Sequence, residues 1–283
     1  MARGRQHRRT HGVTAVAGVV CCLGLGAAGC ARSDAVAQGP PAGDPVQVLR
    51  TAADALVEAG SSQTRTSLEM ATGGTRVTIR GEGVYDYRKR LGRLEVRLPQ
   101  DPAGAAGAAG HRPITELLAP GALYMKNRGA GVPADKWVRV DTATLSDGNL
   151  VTGGATDPFA AAEVLRGTSS AAFVGRTEVA GARVRHYRGT ADLEAASQAA
   201  SEVNRGPLGA AAKGFATARV PFDVYLDDEG RIRKIRHRFS FVNGERQEPV
   251  AVASTTLLYD FGAPADVRLP EDEDIYAGRI AQE

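Results

Sequence analysis

The segment from Arg219 to Phe241 reads RVPFDVYLDDEGRIRKIRHRFSF, and its pattern decides the fold. Phe222, Val224 and Leu226 alternate with polar residues, which is the period of a strand with one apolar and one polar face. The letters DDEG then provide a turn, and a second alternating run follows it. The segment therefore predicts a β-hairpin in which Val224 faces the interior and Asp223 faces solvent.

The return arm of the hairpin has one irregular position. Ile235, His237, Phe239 and Phe241 share one phase of the strand, whereas Ile232 lies three residues before Ile235 and breaks that phase. An extra residue of this kind predicts a β-bulge. Similar long strand patterns occur before and after the hairpin. We therefore expect an α+β fold, with one large curved antiparallel β-sheet (a half-barrel) and helices covering its concave face.

Residues 1–29 have the order of a secretory signal peptide. Arginines precede an apolar run from Gly12 to Gly26, which is too short to span a membrane. Cys30 follows Ala27-Ala28-Gly29, as in a bacterial lipobox, where the thiol receives diacylglycerol. We expect Cys30 to carry acyl chains such as palmitate and to anchor the chain at the extracytoplasmic face of the cell membrane. The alternative is ordinary signal peptidase cleavage after Ala37, which would remove Cys30.

The charge balance changes once the signal peptide is removed. The chain has 35 basic and 32 acidic residues, and removal of residues 1–29 takes away four arginines and no acid, which leaves 31 basic against 32 acidic residues. The basic character of the whole chain therefore gives no reason to expect a nucleic-acid partner. Cys21 and Cys22 lie in the apolar run, so Cys30 is the one cysteine of the mature chain and no intramolecular disulfide is expected.

The mature chain divides into a tether, a body and a tail. Residues 30–43 are predicted to be a lipidated flexible tether, residues 44–270 the folded domain, and residues 271–283 an acidic tail. Asp44-Pro45 is an N-cap followed by a first-turn proline, which predicts a helix that ends before Gly60. Asp157-Pro158 repeats this helix-start signal. A further helix is predicted over 192–203, with a mobile connection at 207–213.

Strands account for most of the remaining body. Period-two patterns predict strands at 64–70, 76–87, 93–98, 123–126, 136–140, 172–176, 183–188 and 249–259. Gly73-Gly74 is predicted to form a hairpin turn. The Ala/Gly-rich insertion 101–110 is predicted to be a solvated loop; the alternative is a flank of a cavity mouth. One continuous sheet is favoured over two halves separated by the loop at 144–156.

No catalytic or metal-binding motif is recognisable in the sequence, so we expect no enzyme activity, no cofactor and no metal. His111, His186 and His237 lack the spacing of zinc ligands or of a catalytic pair. The acidic run 271–274 favours a solvated tail over a calcium site. The basic residues of the hairpin suggest either an exposed face or a contact with anionic lipid headgroups; they are Arg231, Arg233, Lys234, Arg236 and Arg238.

The candidate ligand-binding residues are apolar residues of the predicted strands that would line the concave face of the sheet. They are Val77, Ile79, Leu94, Val96, Leu123, Met125, Trp137, Phe222, Val224, Leu226, Phe239 and Phe241. Leu98, Leu257 and Tyr259 are predicted to lie on the same face. The alternative is a fully packed core. Because the predicted helices are short and rich in alanine, they have little bulk to fill a curved sheet, which favours a partly open apolar pocket.

A set of short motifs extends over nearly all of the mature chain. They are Cys30, the helix at Asp44, Gly81-x-Gly83-x-Tyr85-Asp86, Leu123-Tyr124-Met125-Lys126, Trp137-Val138-Arg139-Val140-Asp141, the Asp157-Pro158 helix, His186-Tyr187-Arg188-Gly189, Phe222-Asp223-Val224-Tyr225-Leu226-Asp227-x-x-Gly230 and Tyr259-Asp260-Phe261-Gly262. Together these motifs resemble the actinobacterial LolA-like lipoproteins of the LppX and LprG type.

The resemblance implies a half-barrel over an apolar cavity that binds or carries lipids or lipoglycans across the cell envelope, without catalytic residues. We therefore expect a membrane-anchored extracytoplasmic lipoprotein with an acyl lipid or lipoglycan as its ligand. The alternative is a tethered interaction or sensor module of the envelope without a lipid ligand, and a secreted enzyme ranks third. The sequence does not identify the lipid or an envelope protein partner.

The lipobox generates the first prediction. Cys30→Ser removes the thiol that would be acylated, and two or three acyl chains are what stable anchoring requires, at about 0.8 kcal/mol per buried methylene. The variant is therefore expected to move from the membrane fraction to the medium, measured by immunoblotting of fractionated cells. Unchanged retention in the membrane fraction would contradict acylation at Cys30.

Overall fold

The computed structural model describes residues 43–72, 75–99, 112–129, 131–151, 156–242 and 249–278, all within one compact unit from Pro40 to Glu283. The helices are α1 (Pro45–Arg50), α2 (Ala52–Ala59), α3 (Pro158–Val164), α4 (Leu193–Ala199) and α5 (Glu202–Gly214). The strands are β1 (Ser61–Thr72), β2 (Thr75–Asp86), β3 (Leu91–Arg97), β4 (Ile114–Ala119), β5 (Ala122–Lys126), β6 (Val138–Asp141), β7 (Thr168–Val179), β8 (Ala182–Asp192), β9 (Arg219–Leu226), β10 (Ile232–Val242) and β11 (Pro249–Tyr259). The predictions for residues 1–42, Gly73-Gly74, 101–110 and His111 lie outside the described residues.

The strands form one antiparallel sheet that does not close into a barrel, as predicted. Their order is β6-β5-β4-β3-β2-β1-β11-β10-β9-β8-β7. Each half of the sheet is a simple up-and-down meander, and the two meanders meet where β1 pairs with β11. The fold is therefore a curved α+β half-barrel, with the first and last strands at its centre.

Strand register divides the side chains between two faces. Val224, Ile235, Thr256 and Thr66 are successive cross-strand partners on β9, β10, β11 and β1, and all four are buried. We call the face that carries them the inner face and the opposite one the outer face. Alternate residues of every strand point to opposite faces, so this row assigns the face of the neighbouring residues as well. The phase predicted for the hairpin is confirmed, because Val224 is 0 % exposed.

The helices and one long connection cover the inner face. Strands β6 and β7 are the two edges of the sheet, and the connection between them leads from one edge to the other. In its described parts, 142–151 and 156–167, the buried apolar side chains belong to the same core as those of the strands. Helix α3 begins at an N-cap, where the Asp157 carboxylate accepts hydrogen bonds from the backbone N–H groups of Phe159 (2.7 Å) and Ala160 (3.0 Å). Asp44 caps α1 in the same way, as predicted, by accepting from the N–H of Val46 at 3.1 Å.

The helices over the inner face are joined by a buried carboxylate on α3. Glu163 accepts hydrogen bonds from the backbone N–H and the hydroxyl of Ser201 (3.0 and 2.7 Å), from the Asn204 amide (2.7 Å) and from the Arg166 guanidinium (3.1 Å). Both carboxylate oxygens therefore have partners. This network fixes α3 to the junction of α4 and α5.

Two elements differ from the sequence prediction. Strand β4 was not predicted, because Glu116 and Leu117 interrupt its alternation. The connection predicted at 207–213 is the second half of α5, which continues through Pro207. A proline removes one helical hydrogen bond, but Leu208 and Ala211 are fully buried against the core, and this packing stabilises the helix. The predicted bulge is confirmed, since the pairing of β10 with β9 shifts between Ile232 and Lys234.

Asp223 lies on the outer face as predicted, but it is not solvated. It is 4 % exposed and accepts hydrogen bonds from Arg238 (2.7 Å), His186 (2.8 Å) and Arg188 (2.9 Å). Burial raises the pKa of Asp223, but these three donors outweigh burial and lower its pKa to about 2. The long side chains of the two neighbouring strands, β8 and β10, close over this carboxylate and remove it from water.

Three apolar residues also differ from their predicted positions. In β11 the buried residue is Leu258, so Leu257 and Tyr259 lie on the outer face. The error arose because the alternation of β11 contains two consecutive leucines, of which only one can point inward. Leu98 follows β3 in the inner-face phase but is 42 % exposed, because it lies beyond the end of the strand.

The two faces generate a matched prediction. Val224→Asp places an unpaired carboxylate in the core and is expected to cost several kcal/mol of the free energy of unfolding, on the order of the 3 to 5 kcal/mol of the largest single-residue effects. Val174→Asp makes the same change at a side chain that is 52 % exposed on β7 and is expected to cost less than about 1 kcal/mol. Urea unfolding of both variants measures the difference; equal costs would contradict the assignment of faces.

Candidate functional site

The residues predicted to line a cavity come together on the inner face, with one exception. Nine of them are buried in a single core, namely Ile79, Leu94, Val96, Leu123, Met125, Phe222, Val224, Leu226 and Phe239. Val77 and Phe241 are partly buried and pack against this core. The role of these residues in ligand binding stays a prediction, because burial is common to a packed core and to the wall of a filled cavity.

Trp137 is the exception. Val138, not Trp137, occupies the buried position opposite Met125 at the start of β6. The Trp137 ring instead lies under the ammonium group of Lys126, 5.3 Å from the ring centroid. Its backbone N–H donates to the carbonyl of Asp274 and its carbonyl accepts from the N–H of Tyr276, both at 2.8 Å. The start of the predicted acidic tail is thus paired with the β6 edge through Asp274 to Tyr276, around the bridge between Trp137 and Ile275.

One end of the inner face keeps its apolar character where water reaches it. Met70 and Val77 are cross-strand partners near the ends of β1 and β2, and both are only partly buried. Phe241 is partly buried near the end of β10, and Leu98 is exposed beyond β3. We call Met70, Val77, Leu98 and Phe241 the apolar rim. Exposed apolar side chains grouped at the edge of a core are a common feature of binding surfaces.

The centre of the inner face contains polar atoms that have no partner among the residues that the structure describes. The hydroxyl oxygens of Thr64, Thr66 and Thr256 and the Nε2 atom of His237 are buried and make no hydrogen bond with any of these residues. Burial lowers the pKa of His237 to about 3, so the ring is neutral. Buried polar atoms are nearly always paired in native proteins, and each unpaired one costs about 1–3 kcal/mol. This group of atoms on three adjacent strands therefore requires an explanation beyond packing.

Glu116 is the most costly unpaired group of the inner face. It is 0 % exposed and lies between Leu94 and Met125 of the neighbouring strands. Within the described part of the chain, neither of its carboxylate oxygens has a hydrogen-bond partner. Burial raises the pKa of Glu116 to about 8, although the charge of Arg128 acts against this shift. The carboxyl group is therefore mostly protonated at neutral pH and presents both a donor and an acceptor to the interior.

Sequence reasoning missed these polar residues, although a signal was present. Thr64 and Thr66 share the inner phase of β1 with Leu68. Glu116 lies midway between Ile114 and Leu118 on β4, both of which are buried. The signal is a polar residue at a position of a strand where the alternation predicts an apolar one. It can be recognised only after the phase of that strand is known.

A second buried carboxyl group lies where α3 begins. Tyr85 donates a hydrogen bond to Asp157 at 3.4 Å, and burial raises the pKa of Asp157 to about 6. Asp157, Tyr85, Phe159 and Asn149 are among the residues around a cavity of about 20 Å³, which is enough for a water molecule. Unlike Glu116, Asp157 has partners, so it functions as a helix cap.

Neither a metal centre nor a spanning helix is found in the part of the chain that the structure describes. No three histidine, cysteine, aspartate or glutamate side chains come close enough together to hold a metal ion among these residues. None of the described helices combines the length and the apolar character needed to cross a membrane. The inner face is therefore the candidate site that the geometry offers.

Solved structures with a similar fold include two mycobacterial lipoproteins. LppX from Mycobacterium tuberculosis is 10 % identical, and the match covers 80 % of this chain and 100 % of that one with a TM-score of 0.45. LprF from Mycobacterium bovis is 15 % identical, with 82 % and 99 % covered and a TM-score of 0.38. The LppX-type lipoproteins that the sequence resembles are thus among the structures similar to this chain. No protein-family model and no curated protein matches it.

The buried carboxyl group generates a prediction on pH. The pKa of Glu116 is about 8 in the folded chain and near 4.5 in the unfolded chain, so between these pH values the folded state holds an extra proton and stability falls as pH rises. Asp157 acts in the same sense only up to about pH 6, and His237 acts in the opposite sense, between about pH 3 and 6.5. Between pH 6.5 and 8, Glu116 is thus the one of these three groups whose shifted pKa still changes the stability. The melting temperature is expected to fall over this interval, and Glu116→Gln is expected to remove most of the fall.

The matched control is Glu58→Gln, which makes the same change at an exposed position at the end of α2. It is expected to leave the fall between pH 6.5 and 8 in place. Differential scanning calorimetry in buffers of constant ionic strength measures all three proteins. If Glu116→Gln shows the same fall as the unmodified chain, the carboxyl group at this position is ionised in the folded state and our assignment is wrong.

Proposed function

We propose that the protein is an extracytoplasmic lipoprotein, anchored to the cell membrane through acylated Cys30, that binds or carries an acyl lipid or lipoglycan against the inner face of its sheet. No cofactor or catalytic step is part of this function. The ligand would lie under the helices, with its acyl chains against the buried apolar residues of the strands. The resemblance of the sequence motifs to lipid-carrying lipoproteins supports this choice of ligand class.

The observation that carries the proposal is the set of unpaired polar atoms inside an apolar interior. A core that is complete in itself pairs its buried polar groups, as Glu163 does with its four hydrogen bonds. Glu116, His237 and Thr66 lack such partners. A lipid has the complementary chemistry, because its acyl chains match the apolar surroundings while its ester, hydroxyl or sugar groups offer hydrogen bonds to these atoms.

The apolar rim supports the same function by offering an approach to the interior. Val77 continues the inner face beyond the buried Ile79 on β2, and Phe241 continues it beyond Phe239 on β10. An acyl chain that slides along these residues would leave water progressively, at about 25 cal/mol per Å² of buried apolar surface. The residues Val77 and Ile79 on β2, and Phe241 and Phe239 on β10, thus form a continuous apolar surface from the rim to the buried core.

A second function is favoured by the close packing of the same residues. Leu94, Phe222 and Leu226 are completely buried by protein atoms, and Phe239 stacks on Phe215 of the α5–β9 connection with ring centroids 4.7 Å apart. A filled core of this kind suits a tethered interaction or sensor module of the envelope, without a lipid ligand. The two functions differ in whether the interior accepts a ligand, which is directly measurable.

Lipid binding is tested with protein purified after Cys30→Ser, so that no acyl anchor is present. A ligand that binds only the folded state raises its stability, by about 2.7 kcal/mol at a concentration of one hundred times Kd. Native mass spectrometry is expected to show a co-purifying lipid, and envelope phospholipids or glycolipids added to delipidated protein are expected to raise the melting temperature. Absence of both effects would leave the sensor module as the better account.

The rim provides the matched variants for this test. Val77→Asp places a charge on the apolar path at a partly buried position and is expected to reduce lipid retention several-fold in gel filtration. Val174→Asp introduces the same charge on the outer edge strand β7 and is expected to leave retention unchanged. Equal retention by both variants would show that the ligand does not pass the rim.

A further inference from the structure

The outer face of the sheet carries an open groove of about 510 Å³ across β11, β1, β2 and β3. Ser67 and Thr255 are cross-strand partners within it, and their neighbour Arg80 on β2 is the cross-strand partner of Arg97 on β3. The same row of the sheet continues to Arg236 on β10. Two hydroxyl groups thus lie between arginines on a solvent-exposed surface.

Arg80 and Arg97 form an unfavourable pair in the absence of an anion. Residues directly opposite in an antiparallel pair have Cβ atoms about 5 Å apart, and like charges there are destabilising. Arg97 is partly neutralised by Glu95 on its own strand at 2.9 Å. Arg80 makes no hydrogen bond or ion pair with any residue that the structure describes. Two arginines directly opposite each other in register, one of them without a partner among the described residues, supply the charged donors that bind a phosphate group through several hydrogen bonds.

The remaining charges of the groove are already paired. Arg65 donates to Glu82 at 2.8 Å and lies over the Tyr259 ring, 4.9 Å from its centroid. With the pairs Arg65–Glu82 and Arg97–Glu95 formed, the charge of Arg80 is left over. The groove therefore has a net positive charge that an anion would neutralise.

A second basic groove, of about 200 Å³, lies beside the first on the same face. Its charged lining residues are Arg76, Arg236, Arg238 and Glu69, and the rest of its lining is apolar. Glu69 pairs with Arg236 at 3.3 Å, and Arg238 pairs with Asp223 at 2.7 Å. Arg76, like Arg80, has no hydrogen bond or ion pair among the described residues. A soluble phosphate compound would need one such groove. Two grooves side by side on an exposed sheet face suit a plane of phosphate groups, which is what the surface of an anionic bilayer presents.

Most of the basic hairpin residues already form ion pairs or cation–π contacts within the protein. Arg231 pairs with Asp227 at 2.8 Å, and Arg231 and Arg233 both lie over the Phe261 ring. Lys234 lies over Tyr225. Among the described residues that line the two grooves, the arginines without a hydrogen bond or ion pair are Arg76 and Arg80 on β2, away from the hairpin.

We infer that the outer face docks on anionic phospholipid headgroups at a membrane surface, with Arg80 and Arg97 clamping one lipid phosphate beside the Ser67 and Thr255 hydroxyls. This surface is separate from the inner face and does not depend on a ligand being bound there. It would orient an anchored chain with its outer face toward the membrane.

The test uses the chain carrying Cys30→Ser, so that no acyl anchor contributes, and vesicles of phosphatidylglycerol and phosphatidylcholine or of phosphatidylcholine alone. Binding in a flotation assay is expected only with phosphatidylglycerol and is expected to weaken as salt is raised. Arg80→Ala and Arg97→Ala are each expected to weaken it about five-fold, which corresponds to about 1 kcal/mol per arginine. Arg80→Lys keeps the charge but loses the planar donor pair, and a several-fold loss is expected here too.

The matched control is Arg93→Ala, because Arg93 is exposed on the same face of β3 but outside both grooves. It is expected to change binding less than two-fold. Equal losses from Arg93→Ala and Arg80→Ala, or full binding by Arg80→Lys, would show diffuse attraction and overturn the clamp. Thermal stabilisation by inorganic phosphate that depends on Arg80, without any binding to vesicles, would assign the groove to a soluble phosphate compound and overturn the docking surface.

Discussion

Antiparallel pairing through eleven strands is the constraint on which the rest of the structure depends. Because side chains alternate along each strand, a register that places Val224 inside also places Ile235, Thr256 and Thr66 in the same buried row. The same register collects arginines on the opposite face. A single pairing pattern thus produces both the covered apolar inner face and the open basic surface on the outer face.

Two buried glutamates of this interior differ in their hydrogen bonding. Glu163 on α3 receives donors from Ser201, Asn204 and Arg166 and links the helices that cover the sheet. Glu116 on β4 is equally buried and receives none from the described residues. The first glutamate links the helices over the sheet, whereas the second is a buried carboxyl group whose hydrogen bonds the described side chains do not satisfy.

The sequence predicted what depends on local pattern. The central hairpin, its bulge and the caps at Asp44 and Asp157 follow from alternation and from residue chemistry, and the structure has all of them. Positions that depend on neighbouring strands were not predictable in the same way. Asp223 is buried only because β8 and β10 bring Arg188 and Arg238 over it. The orphan carboxyl group on β4 and the opposed arginines became visible only once the register was known.

The meeting of β1 and β11 at the centre of the sheet also constrains how the chain folds. Within each meander, most strands pair with their neighbours in the sequence. The pairing of β1 with β11 instead joins residues that nearly the whole domain separates in the sequence, such as Thr66 and Thr256. Contacts of this sequence separation form slowly. Until β11 arrives, the N-terminal meander presents β1 as an unpaired edge, which is prone to aggregation. Because synthesis proceeds from the N-terminus, the sheet is completed only after the C-terminal strand β11 has been made, so folding of the whole sheet is coupled to the end of synthesis.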